Sequence, residues 1–120
     1  MPIERSDHPT LLLDEEGPAI ATTEDAADLV GLVLSRGAKV IAIPLARLDD
    51  TAFDLDTGFA EELAQTIASY RLRLVVVGDL SEYAVADDVF RTWARAVDRA
   101  DRVWFVADAT ALERRLERAR

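Results

Sequence analysis

Apolar positions recur along the chain in two rhythms, and the changes between them mark its elements. Thr10 to Leu13 is a short apolar run, Asp14-Glu15-Glu16-Gly17 reads as a turn, and Pro18 to Thr22 is a second extended run. Together they predict a β-hairpin. Thr22 or Thr23 then caps a helix whose first turn carries Glu24 and Asp25, favourable at the positive end of the helix dipole. Ala26, Leu29, Val30, Val33 and Leu34 fall on one face of that helix, and Gly37 stops it. Gly31, which costs up to about 1 kcal/mol relative to Ala in a helix, reads as a point of close packing.

Lys39 to Leu45 (KVIAIPL) has the length of a strand, with Pro44, which has no N–H to donate, marking its end. After the loop from Ala46 to Asp56, a helix runs from about Gly58 to Ser69. Phe59, Ala60, Leu63, Ala64, Ile67 and Ala68 form its apolar stripe. Arg71 to Val77 (RLRLVVV) becomes wholly apolar, as a parallel strand covered on both faces does. Asp87 or Asp88 opens a third helix with Val89, Phe90, Trp93, Ala94, Val97 and Ala100 inward. Arg102 to Ala107 is a further strand, and Asp108 caps a last helix anchored by Leu112 and Leu116.

This order, β-β-α-β-α-β-α-β-α, predicts an α/β fold: one small sandwich over residues 10–120, preceded by a flexible lead, 1–9. The sheet is expected to be mostly parallel, with the N-terminal hairpin as an antiparallel edge. The 120 residues are the length of one compact domain, and at 50% hydrophobic they suffice for a core.

Charge and composition remove several functions. A formal net charge of −9 opposes binding to a phosphate backbone or to an anionic membrane. Without cysteine there are no disulfides, thiolate nucleophiles or cysteine-bound zinc sites. His8, the one histidine, falls in the polar lead, so Ser81 has no base to activate it. The lead lacks an apolar signal core, and no run approaches the length of a membrane span. The expectation is a cytoplasmic protein, and the Ala- and Arg-rich, Lys-poor usage suggests a GC-rich bacterial genome.

In open α/β sheets the crevice lies beyond the carboxyl ends of the strands. Three loops end there, carrying Asp49, Asp50, Asp54, Asp56, Asp79, Glu82 and Asp108. Several carboxylates suit a divalent cation, but no spacing matches a known metal loop, and the same residues serve as helix caps and turn formers. A response-regulator phosphoacceptor would need a lysine after the last strand, and Lys39 begins an early one. Thr57-Gly58 at a helix start favours an anion, yet Asp54, Asp56, Glu61 and Asp79 repel one, so Thr57 reads as a cap. No Walker A or GxGxxG pattern occurs, and no cofactor is implied. Phe53 and Tyr83, flanked by acids, are expected as exposed anchors of a binding surface.

The chain resembles the bacterial proteins grouped as domain of unknown function 4180. The likeness rests on Asp25-Ala26-x-Asp28-Leu29, on Phe53-Asp54-Leu55-x-Thr57-Gly58-x-Ala60-x-Glu62, and on Gln65 and Tyr70. It continues through Gly78-Asp79-x-Ser81-x-Tyr83 and Val103-x-Phe105-Val106. Departures from the family pattern are Glu61 for a usual Gly, Thr66 for Lys, Ala68 for Asn, and Ala96-Val97-Asp98 for a Glu-Ser-Asn triplet. More distantly, the element order and the acidic-Thr-Gly step resemble the STAS domains of anti-sigma factor antagonists. That likeness implies a non-enzymatic regulatory or interaction module with a protein partner or a homodimer. Thr57 would be its phosphorylation switch, although Asp56 stands where the STAS phosphoserine usually lies. The alternative is a small-ligand or divalent-metal-dependent enzyme using the acidic crevice. Either way the candidate positions are Phe53, Asp54, Asp56, Thr57, Gly58, Glu62, Gly78, Asp79, Ser81 and Tyr83.

Overall fold

Four parallel strands stand side by side in the computed structural model, which describes residues 9–83 and 85–118. They are β1 (Thr10–Leu12), β2 (Val40–Pro44), β3 (Arg73–Val77) and β4 (Val103–Val106), in spatial order β1-β2-β3-β4. The expected lead falls almost wholly outside the described residues. Helices α1 (Thr23–Ser35), α2 (Phe59–Ser69) and α3 (Asp88–Arg99) connect successive strands, and α4 (Ala109–Arg118) follows β4.

Sequential parallel neighbours joined by right-handed crossovers send every connecting helix to one face of the sheet. The core divides accordingly. Val30 and Val33 of α1, Leu63 and Ile67 of α2, and Phe90 and Val97 of α3 pack with Ile41, Ile43, Leu74 and Val76. Helix α4 closes the opposite face. There Leu112 and Leu116 cover Val40, Ala42, Val75, Trp104 and Val106. Burial of β2 on both faces and of the middle of β3 explains their unbroken apolar runs.

The antiparallel hairpin does not form. β1 pairs in parallel with β2, Thr10 opposite Val40 and Leu12 opposite Ala42. Pro18 to Thr22 instead runs beside the loop after β2, where Ile20 bridges Leu48. The Ile20 N–H donates to the Arg47 carbonyl at 2.7 Å, and the Ile20 carbonyl accepts from Asp49 N–H at 3.0 Å. Arg47 fixes the turn from above, donating to the carbonyls of Asp14 and Pro18 at 3.0 Å each. Gly17 lies beneath it at φ 146, a backbone that L side chains rarely adopt. A long-range arginine, invisible to local patterning, thus overrides the hairpin.

Caps agree with the sequence more closely. Thr22 and Asp25 form a reciprocal capping box at α1, Asp87 accepts from Phe90 N–H at α3, and Asp108 accepts from Ala111 N–H at α4. Four inward assignments fail. Leu34, Ala68, Val89 and Ala100 are exposed, each lying at the edge or past the end of its helix's buried stripe. Gly31 is exposed as well, with nothing near enough to meet a Cβ, so it is not a packing point.

No helix among the described residues is long and apolar enough to cross a membrane.

Candidate functional site

The carboxyl ends of all four strands open into a cleft of about 380 Å³. Leu12, Pro44 and Val77 contribute its apolar floor, and Glu15, Asp79, Glu82 and Asp108 its acidic rim. Registry puts the strand ends level, Pro44 opposite Val77 and Val77 opposite Val106. Gly78 turns the chain out of β3 at φ 147, its N–H donating to the Val106 carbonyl at 2.8 Å. Its missing Cβ leaves room for Leu45, whose Cδ1 would be 2.6 Å away.

The acidic residues of the loops have local work. Asp79 opens a 3-10 turn, Leu80–Glu82, by accepting from the Ser81 N–H at 3.0 Å and from the Ser81 hydroxyl at 2.6 Å. Those bonds, the hydroxyl's foremost, hold its carboxyl below the usual range. Asp49 begins the turn Asp50–Phe53 in the same way, accepting from both the hydroxyl and the N–H of Thr51, with the same effect on its pKa. Asp54 begins the turn Leu55–Thr57, accepting from Asp56 N–H at 3.0 Å. This Asx-turn chemistry is why the sequence spends aspartates there. Among the described residues no group of three or more His, Cys, Asp or Glu is placed to hold a metal ion.

Thr57 is exposed, and its hydroxyl is occupied. Its one proton is shared between the carbonyls of Thr51 (2.9 Å) and Asp54 (2.8 Å), and its oxygen accepts from Phe59 N–H at 3.2 Å. It therefore satisfies one free amide of α2 from just ahead of the helix, while Gly58 takes the left-handed backbone, φ 77, that the turn demands. Glu62 is exposed in the first turn of α2.

The two acidic loops do meet, through aromatic rings and not through carboxylates. Phe53 stacks on Tyr83 with ring centroids 6.0 Å apart and planes 20° from parallel, and it touches Phe90 at 5.1 Å. Phe53 is only 3% exposed, which corrects its expected role as an exposed anchor. Its position at the end of a 3-10 turn aims it inward beside Ala52. Of the expected site residues, Gly78, Asp79 and Tyr83 line the cleft, and Ser81 braces Asp79. Asp54, Asp56, Thr57, Gly58 and Glu62 are not part of its lining.

Two polar clusters escaped the sequence reading. Glu61 of α2 accepts from Trp93 Nε1 at 3.2 Å and from Arg102 Nη2 at 2.5 Å, tying α2, α3 and the start of β4 together. The Arg102 guanidinium holds the Glu61 carboxyl below its ordinary range. Asp98 of α3 accepts from Phe105 N–H at 2.9 Å and is gripped by both terminal nitrogens of Arg115 (2.9 and 2.8 Å). Burial pushes Asp98 up, but Arg115 and that N–H outweigh it and leave the group low. Phe105 N–H lies on β4, the edge strand, so Asp98 blunts that edge. The sequence signal was present: a carboxylate and an aromatic at helix positions adjoining the core stripe.

No curated protein and no solved structure matches the chain. The family model for DUF4180, a domain of unknown function, matches residues 5–116. With that span, and with the Asp-Leu-x-Thr-Gly and Gly-Asp-x-Ser-x-Tyr blocks setting its two loops, the chain belongs to the DUF4180 family.

Proposed function

We propose that the protein is a non-enzymatic interaction module of the STAS-like, regulatory kind, docking a protein segment in the cleft at the strand carboxyl ends. The observation that carries this reading is the make-up of the cleft. Leu12, on the edge strand, is 49% exposed beside Pro44 and Val77, and Glu15, Asp79, Glu82 and Asp108 surround them. An apolar floor inside a ring of carboxylates fits a segment with an aliphatic or aromatic anchor flanked by Lys or Arg. The same carboxylates support an enzyme less well. Asp79 is spent on a turn and Asp108 on a helix cap, and neither has a base, thiol or metal-binding cluster beside it among the described residues.

Selection from a random peptide library tests the proposal. Recovered binders should carry an apolar residue between basic ones, and their affinity should fall steeply with added salt. A second copy of the chain as the partner would appear instead as concentration-dependent dimerisation in light scattering. Binders without basic residues, or binding indifferent to salt, would contradict the proposed docking chemistry.

The regulatory half of the proposal concerns Thr57, exposed at the start of α2. A phosphoryl group there would end the donation that Thr51 and Asp54 share and set a dianion beside Asp54 and Asp56. Thr57→Glu, compared with Thr57→Val, separates added charge from lost hydrogen bonds: a switch requires that only the Glu variant alter peptide affinity.

A further inference from the structure

At the opposite end of the sheet, where the strands begin, a second cleft of about 460 Å³ inverts the charge of the molecule. Lys39, Arg71, Arg73 and Arg102 line it, with Asp101 as the one acid, over a floor that includes Ala64 and Leu72. Gathering four cations in one cleft of a chain with net charge −9 is not a matter of average composition.

The backbone there shows which cation is not explained by folding. Helices α1, α2 and α3 all end in the same double-bonded turn. Ala38, Leu72 and Arg102 N–H donate to the carbonyls of Val33, Ile67 and Val97, and Gly37, Arg71 and Asp101 N–H to those of Leu34, Ala68 and Asp98. This motif places one residue in the left-handed region, where glycine is preferred. The first turn uses Gly37, φ 68; the others use Arg71, φ 60, and Asp101, φ 61. Asp101 has a use for its side chain, accepting from Trp104 Nε1 at 2.5 Å and pairing with Arg73 at 3.2 Å. Arg102 pairs with Glu61. The side chains of Arg71 and Lys39 make no hydrogen bond or ion pair among the described residues. A left-handed position held by an exposed guanidinium with no side-chain partner among the described residues, at a cleft, points to a use outside the fold.

We infer that this cleft binds a small multivalent oxyanion, phosphate- or carboxylate-bearing, through Arg71 and Lys39. Arginine's planar fork matches two oxygens of such a group, lysine adds a point charge, and the Arg73–Asp101 and Arg102–Glu61 pairs hold the walls. The carbonyl ends of α2 and α3, which would repel an anion, are capped by backbone N–H groups and, at Asp101, by Arg73 Nη1 at 2.5 Å. The volume suits a small ligand, and the overall negative charge disfavours a polyanion such as nucleic acid.

The test is calorimetric titration of the intact protein with pyrophosphate and, separately, citrate, at constant ionic strength. Arg71→Gly keeps the left-handed backbone without its side chain, and Lys39→Gln leaves the backbone alone, so both should fold. Each should weaken binding of the preferred anion at least tenfold, while Arg114→Ala, on exposed surface of α4, should leave it unchanged. Preference for pyrophosphate identifies a phosphate-bearing ligand, and preference for citrate a carboxylate-bearing one. No binding of either anion, or binding undiminished in Arg71→Gly, would overturn the inference.

Discussion

Arg71 and Asp101 hold the same left-handed backbone, φ 60 and φ 61, two residues past the ends of α2 and α3, but among the described residues only Asp101 is bonded through its side chain. Glycine substitution should therefore separate them. Arg71→Gly removes a left-handed Cβ whose cost, about 1 kcal/mol, is partly offset by glycine's greater freedom in the unfolded chain. The variant should be as stable as the parent or slightly more so. Asp101→Gly gains the same relief but loses acceptors for Trp104 and Arg73, and should lose about 1–2 kcal/mol net. Urea unfolding of the two variants reads the difference, and equal effects would contradict the assignment of roles.

The Phe53 ring, packed between Tyr83 and Phe90, is what joins the two family-defining loops. Phe53→Ala should cost about 3–5 kcal/mol, measured by chemical denaturation. Tyr83→Ala removes a half-buried ring and should cost clearly less. Were Phe53 the exposed anchor that its acidic neighbours suggest, its removal would hardly change stability.

Gly78→Ala should also destabilise, by about 1–3 kcal/mol, because the added methyl group lands 2.6 Å from the buried Leu45 side chain at φ 147. Gly31→Ala, on open helix surface, should do the reverse and stabilise by up to about 1 kcal/mol. Thermal unfolding of both variants checks the contrast.

Acid should weaken the fold for a stated reason. Asp25, Asp49, Glu61, Asp79, Asp98 and Asp101 all sit below their ordinary pKa values in the folded chain. A depressed carboxyl binds fewer protons folded than unfolded, so its stabilisation is complete above the ordinary carboxylate range and drains away as pH falls through it. The melting temperature should be flat between about pH 7 and pH 5 and fall below about pH 4.5. Asp98→Asn should melt lower at neutral pH but with a shallower acid slope, since the Arg115 grip is already gone. An unchanged slope would remove Asp98 from the set.

How far the sequence carried the structure depends on the range of the interactions involved. The α1 cap, the buried run of β3 and the apolar stripe of α2 from Phe59 to Ile67 are local, and they appear where periodicity put them. The hairpin failed because its second arm answers to Arg47, distant in sequence from Pro18 and Asp14. The acidic loops were visible as charge, yet charge alone does not distinguish a turn-forming aspartate from a ligand-binding one; the bonds to Ser81 and Thr51 do. The cationic cleft stayed hidden because Lys39, Arg71 and Arg102 lie on three separate connections.

The most direct test of the docking cleft is charge reversal at its rim, where Glu15 and Glu82 are exposed. Affinity of a selected basic peptide for the parent chain should be compared with that for the Glu15→Lys, Glu82→Lys double variant, with unfolding measured in parallel. The double variant should lose at least tenfold in affinity with its melting temperature preserved. Equal affinity for the two proteins would contradict it.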